Sequence, residues 1–215
     1  MSRRIRVTFA KTGPLRYIGH LDLHKLWERA ARRAGVSLAY SQGFHPQPKI
    51  QLASALPLGF SSRCEVADLW VEDEPNPGLQ DELQAALPSG ISIQSLQEVD
   101  ERAPALQTQV TAAEFEVTLL DEVDTNALTR RLSALLEADS LPRERRGKAY
   151  DLRPLIESLS FSAAVSVEPV ETPAPSLHLH LTARQGATGR PEEVLAELGI
   201  AVEDARIERT KLIFV

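Results

Sequence analysis

The order of predicted elements most constrains what this chain can fold into, because the same order occurs twice. Residues 3–9 alternate Ile5, Val7 and Phe9 with Arg4, Arg6 and Thr8, the period of a half-buried strand. Gly13-Pro14 interrupts the pattern. Leu23, Leu26, Trp27, Ala30, Ala31 and Ala34 then recur at helical spacing over residues 21–34, and Gly35 closes the helix. Residues 50–57 and 65–72 read as strands of a hairpin around Gly59-Phe60-Ser61-Ser62. A short helix over 79–87 and a strand over 91–98 complete β-α-β-β-α-β.

The second half repeats it. A strand is expected over 114–120, then a helix capped by Asp124 or Thr125 with Leu128, Leu132, Leu135 and Leu136 on one side. Strand-like pieces follow at 149–152, 161–167 and 177–183. A helix over 191–198 opens on proline and ends at Gly199, and 206–215 reads as a closing strand. This predicts an α+β fold of tandem ferredoxin-like (βαββαβ) domains with antiparallel sheets, each a split βαβ unit. The expected bounds are 1–104 for an N-terminal domain carrying the basic motif region and 112–215 for a C-terminal one, with the acidic, Pro-containing stretch 98–111 as boundary. The proline-containing stretch 168–175 is expected as a surface loop.

Charge is divided as sharply as structure. The formal net charge is −6, yet residues 1–63 hold eleven Lys or Arg against only Asp22 and Glu28. A local excess of one sign steers and holds ligands of the other. Lys11, Arg16, Lys25, Arg29, Arg32, Arg33 and Lys49 are expected to line a groove for phosphates, whose neutralisation gives salt-sensitive affinity. The bland alternative is a solvated helix face, or one docked on an acidic protein. Arg146 and Lys148, in a second basic cluster starting at Arg143, either extend that path or form a flexible loop. The 40–49 segment sets Tyr40, Ser41, Gln42, Gly43, Phe44 and His45 beside Pro46, Pro48 and Lys49. That suits a rigid loop presenting a stacking ring, with Tyr17 as a further ring, or else a turn that packs Phe44 inward.

His20 and His24 are four apart and share a helix face, but a metal needs a third ligand and none is apparent, so no metal is expected. Asp22 suits the first turn of a helix. Glu65 and Asp68, three apart on a strand, face opposite sides and are no acid/base couple. Cys64, the single cysteine, reads as a small core residue, although Arg63 beside it favours a thiolate. One cysteine excludes an iron–sulfur cluster held by several cysteines of this chain. With no apolar run of spanning length and no apolar segment after Met-Ser-Arg-Arg-Ile-Arg, neither membrane insertion nor secretion is expected, and a cytoplasmic location is.

Several motifs resemble a known family. They are Phe9-Ala10-Lys11-x-Gly13, Tyr17-Ile18-Gly19-His20-Leu21-Asp22-Leu23, and Glu28-Arg29-Ala30-x-Arg32-Arg33-Ala34-Gly35. Tyr40-Ser41-Gln42-Gly43-Phe44-His45-Pro46-x-Pro48-Lys49 and Pro57-Leu58-Gly59-x-x-Ser62-x-x-Glu65 follow, with thinner likeness at Arg146-Gly147-Lys148 and Asp151-Leu152-Arg153-Pro154. Together they resemble the uncharacterised radical SAM-linked protein family, whose members stand beside, or are fused C-terminal to, radical SAM proteins. That family commonly has serine where Gly19 stands and asparagine in place of His45. The resemblance implies a radical SAM partner that carries the iron–sulfur cluster and S-adenosylmethionine, with no cofactor on this chain. Combined with the charge, it leads to the expectation of an accessory protein positioning RNA, tRNA or rRNA, for modification. Arg153 joins the contacting cations and His24 the binding residues, and His20, Asp22 and Gln42 are expected to supply hydrogen bonds near the reacting centre. The expected fold is also similar to that of the metal-independent RNA endonucleases that process CRISPR repeats, in which His20 would be general acid/base. A third reading is a module that docks the radical SAM enzyme or its peptide substrate.

Overall fold

The computed structural model describes residues 2–72, 74, 76–145, 147–163 and 174–215. The chain divides into two compact units, Met1–Val110 with Val215, and Thr111–Phe214. Both are mixed α and β, with helices on a mostly antiparallel sheet.

In the first unit β1 (Arg3–Lys11) leads through a 3-10 turn at Gly13–Tyr17 into α1 (His20–Arg33). Then come β2 (Ile50–Leu52), β3 (Ser61–Val71), α2 (Leu79–Ala86), β4 (Ile91–Val99) and the single turn α3 (Leu106–Gln109). β1 lies between β3 and β4, and β2 pairs with the other edge of β3, all antiparallel. Ile5 stands opposite Leu69 and Val7 opposite Ala67, so the alternation read in the sequence becomes one apolar face. α1 lays Leu23, Trp27, Ala30 and Ala31 on that face, α2 adds Leu79 and Leu83, and β4 adds Ile91 and Ile93. Trp27 meets Phe9 edge to face with ring centroids 4.9 Å apart, a geometry that contributes about 0.5–1.5 kcal/mol beyond area burial.

The reverse face is polar at its centre and still buried. Asp68, 0% exposed, accepts from Arg4 Nε at 2.8 Å and from Arg6 Nε and a terminal nitrogen at 2.8 and 2.9 Å. Arg4, 1% exposed, also donates to the carbonyls of Ala103 (2.6 Å) and Pro104 (3.0 Å) and stacks over the Trp70 ring at 4.7 Å. Gln51 accepts from the Leu106 N–H at 2.9 Å. The segment after β4 is thus fastened across this face.

The expected hairpin forms with other bounds. Its first strand stops at Leu52 instead of running to Pro57, and its second begins at Ser61 rather than Glu65. Pro57 has no N–H for a ladder, and Gly59 turns the chain at φ 88. The Ala53 N–H extends the pairing by one bond, to Val66 O at 2.9 Å.

The second unit runs β5 (Val110–Leu119), α4 (Thr125–Glu137), a hairpin of β6 (Pro142–Arg145) and β7 (Lys148–Asp151), and β8 (Ile156–Ser162). It continues with β9 (Ser176–Arg184), the two-residue β10 (Ala187–Thr188), α5 (Pro191–Leu198) and β11 (Ala205–Phe214). β5 lies between β9 and β11, and β8 and β10 pair with β9. Phe115, Val117, Leu177, Leu179 and Leu181 are buried, as are Leu128 and Leu135 of α4 and Val194, Leu195 and Leu198 of α5. Of the two cap candidates Asp124 serves, accepting from the Asn126 and Ala127 N–H groups.

Three expectations change here. β5 begins at Val110, inside the stretch read as boundary. Residues 149–151 of the strand-like segment 149–152 belong to a hairpin turning at Gly147, φ 75, and Arg143, Arg145 and Lys148 of the second basic cluster are paired in its strands instead of forming a flexible loop. Of the strand expected over 161–167, Phe161 and Ser162 belong to β8, while 164–167 lie outside the described residues, as does 168–173 of the expected loop. Ion pairs join the hairpin to α5, from Arg143 to Glu197 and from Arg145 to Glu193 at 2.7 Å.

Asp151 and Arg153 organise the return from that hairpin. Asp151 Oδ1 accepts from the N–H of Leu141 (2.7 Å) and of Arg153 (2.9 Å). These bonds, Leu141's foremost, hold its carboxyl below the ordinary 3.8. Arg153 donates to the carbonyls of Ile156 (3.2 Å) and Leu136 (2.9 Å), the latter in the last turn of α4.

Two outcomes follow from these bonds. Asp68→Ala leaves Arg4 buried without its counter-charge and should lower the unfolding free energy by about 3–5 kcal/mol in urea titration; a loss under about 1 kcal/mol would mean that water replaces the carboxylate. Because the folded pKa of Asp151 is depressed, its contribution is complete above the ordinary 3.8 and disappears as pH falls through the folded value. The difference in urea midpoint between wild type and Asp151→Asn should therefore be constant near neutrality and close in acid; a difference that grows in acid would contradict it.

Candidate functional site

α1 carries two stripes. Leu23, Trp27, Ala30 and Ala31 face the sheet, and Asp22, Lys25, Arg29 and Arg33 follow one another at spacings of three and four on another side. The second stripe lines an open cleft of about 480 Å³, whose apolar wall is Ile18, Leu26 and Pro88. The far wall is brought in by the Thr12 N–H, which donates to Gly90 O at 2.8 Å. Gly90 has φ 99, and a Cβ there would stand 2.7 Å from Thr12 O, so this approach requires glycine. Among the described residues Lys25 and Arg29 have no ion-pair partner, and Arg33 has only a long contact of 3.5 Å to Ala86 O. Like charges four apart on a helix repel by a few tenths of a kcal/mol. Lys25–Arg29 and Arg29–Arg33 are two such pairs, and among the described residues Asp22 is the only acid lining the cleft. Arg32 and Arg33 in the last turn do sit favourably at the negative end of the helix dipole.

A second feature is the loop after α1. Lys49 N–H donates to Ala39 O (2.8 Å), Ser41 N–H to Gln47 O (2.8 Å), and Gln47 N–H to Ser41 Oγ (2.9 Å). Tyr40 and Pro48 form a bridge within this stem. Gln42, Gly43, Phe44, His45 and Pro46 make an exposed tip. Phe44 does not pack inward; its relative exposure is 102%.

The remaining expected residues are placed as follows. His20 is the first residue of α1 and exposed, and His24 is half-buried one turn on. No group of three potential metal ligands exists among the described residues. Arg32, Lys49 and Lys148 are exposed but lie outside the cleft lining. Arg16 stacks over the neighbouring Tyr17 ring at 4.8 Å and donates to its hydroxyl at 2.9 Å. Tyr17 and Tyr40 are both exposed. Lys11 is 1% exposed, opposite Ser62 in register, so its ammonium is inside the fold and not on the basic face. The donors of Arg153 are engaged by the two carbonyls above. Arg146 lies outside the described residues. Cys64 is half-buried, with Sγ 3.7 Å from Ser62 Oγ.

Sequence reading missed the apolar wall. Pro88 was visible only as a helix stop, and nothing in the linear pattern joins it to Ile18. It also missed Asp68 as a hub, although charged residues alternating with a core stripe on β1 were the available signal.

Residues 4–191 match the model of a family described as "Uncharacterized protein conserved in bacteria (DUF2344)", and the chain belongs to that family. No curated protein matches it. Among solved structures it is similar to the acetolactate synthase small subunit from Thermotoga maritima, at 10% identity. That alignment covers 100% of this chain and 96% of the other with a TM-score of 0.28, a level that carries no argument about function.

Gly19 caps α1 with φ −77 and ψ 169, a backbone open to any residue, and an added Cβ would meet only Asp22 Oδ2 at 3.9 Å. A serine there supplies the missing acceptor for the first turn. Gly19→Ser should raise stability by a few tenths of a kcal/mol, seen as a higher urea midpoint at unchanged slope; a lower midpoint would show that the site rejects a side chain.

Proposed function

We propose that this DUF2344 family member is an accessory RNA-binding protein that positions a tRNA or rRNA substrate for a radical SAM partner. The partner would carry the iron–sulfur cluster and S-adenosylmethionine and perform the radical step. The observation that supports RNA binding most is the α1 cleft, where Lys25, Arg29 and Arg33 stand side by side and, among the described residues, Asp22 is the single acid of the lining. A phosphate chain laid along the stripe relieves the repulsion among these cations and releases the counterions that both carried. Arg32 and Lys49, both exposed and outside the cleft lining, would add further phosphate contacts; Lys11, which is buried, and Arg153, half-buried with donors engaged by two carbonyls, leave the path. His20 and Asp22, at the start of the same helix, offer hydrogen bonds where the chain enters the stripe. The radical SAM association rests on the motif resemblance alone.

We also read the two units as tandem ferredoxin-like domains. In the first, β2-β3-β1-β4 are neighbours in that order, and in the second β8-β9-β5-β11 are, which is the same order by position in each half. The β6–β7 hairpin is then an addition to the second domain, joined to α5.

The test is a salt-titrated binding assay of the pure protein against a cellular small-RNA pool, beside Arg29→Ala/Arg33→Ala. Wild type should bind with affinity falling linearly in log–log salt, and the double variant should lose about 1.4–1.8 from that slope, two phosphate contacts at about 0.7–0.9 each. No binding at roughly 0.15 M salt would sink the reading. Capture of the radical SAM protein after nuclease treatment would then favour the docking module. RNA cleavage in EDTA, abolished by His20→Ala, would favour the endonuclease.

A further inference from the structure

The tip of the 39–49 loop holds the Phe44 ring in water, beyond the exposed Tyr40 of its stem. Three hydrogen bonds of 2.8–2.9 Å, two between backbone groups and one from the Gln47 N–H to Ser41 Oγ, close its stem. Gly43, at φ 135 where a side chain is strained, and Pro46 then limit how the tip can fold back. Phe44 at 102% exposure gains nothing from the core. Around it the tip is polar: Gln42, His45 and Gln47 are all exposed, and Lys49 stands at the foot. No acid occurs between Glu28 and Glu65.

We propose that this loop is a stacking site for an unpaired nucleobase, so that the RNA must present a single-stranded segment. The inference rests on the RNA reading of the α1 cleft and names its substrate class. A ring can stack on a base only where that base lacks a neighbour. In a continuous A-form duplex both faces of every internal base are covered, and the major groove is too deep and narrow to admit the tip. The rim argues against an apolar protein pocket as occupant, since such a pocket would strip water from two amides and an imidazole. The same groups suit a base. Gln42 both donates and accepts, as does a neutral His45, and either can pair with an exposed Watson–Crick edge. The Lys49 ammonium meets the phosphate on one side of the stacked nucleotide.

The experiment uses the full chain, a labelled single-stranded 20-nucleotide RNA, and that RNA annealed to its complement. Wild type should prefer the single strand at least tenfold at equal salt. Phe44→Ala should weaken single-strand binding by about five- to a hundredfold, leave duplex binding unchanged and leave the salt slope unchanged. Phe44→Trp should keep the affinity and show a fluorescence change with the single strand only. Equal affinity of wild type and Phe44→Ala for the single strand, or equal affinity of wild type for both forms, overturns the stacking site while the cationic RNA reading stands. Absence of binding to either form overturns both.

Discussion

Asp68 between Arg4 and Arg6 is the contact on which the first unit is built. A carboxylate with no exposure is costly to desolvate, and it is tolerated because two guanidiniums from the neighbouring strand answer it with near-ideal hydrogen bonds. Those bonds join β1 to β3, the two central strands, on the face away from α1 and α2. Arg4 has donors left over, and they take Ala103 and Pro104, so the chain leaving β4 is drawn across the same face. With that face closed, α1 and α2 have one apolar surface on which to lie. The rotation of α1 about its own axis is then set by Trp27 against Phe9 and by the small Ala30 and Ala31.

That rotation decides where the cations go. A helix turns about 100° per residue, so with positions 23, 27, 30 and 31 inward, 25, 29 and 33 must share a stripe directed elsewhere. The two faces of α1 are therefore one fact. The periodicity of this helix, and the concentration of cations off its apolar face, were legible in the linear sequence. The cleft was not, because its second wall comes from the turn at Pro88 to Gly90, held against Thr12 by a single backbone bond and the absence of a Cβ.

The family motifs mark structure as much as chemistry. Lys11, Ser62 and Glu65 all end in the interior, near one end of β1 and β3. Asp151 and Arg153 satisfy backbone groups at the exit of the β6–β7 hairpin, and Arg143 and Arg145 are matched by acids of α5. Counting basic residues along the chain could not separate these from Lys25 or Arg29. A side chain's charge is a property of its residue type, whereas its partners come from segments far away in sequence.

What the sequence alone determined is the alternation and helical periodicity of the main elements, the concentration of positive charge in the first 63 residues, and the presence of a glycine- and proline-framed Phe44. These are local properties, governed by the geometry of the backbone and the identity of neighbours. Only the tertiary structure decided that Lys11 is buried, that Arg4 and Arg6 close on Asp68, that β2 stops at Leu52, and that the Phe44 ring faces water. Each of these depends on which distant groups arrive to satisfy a charge, fill a ladder or cover a ring, and distance along the chain carries no record of that.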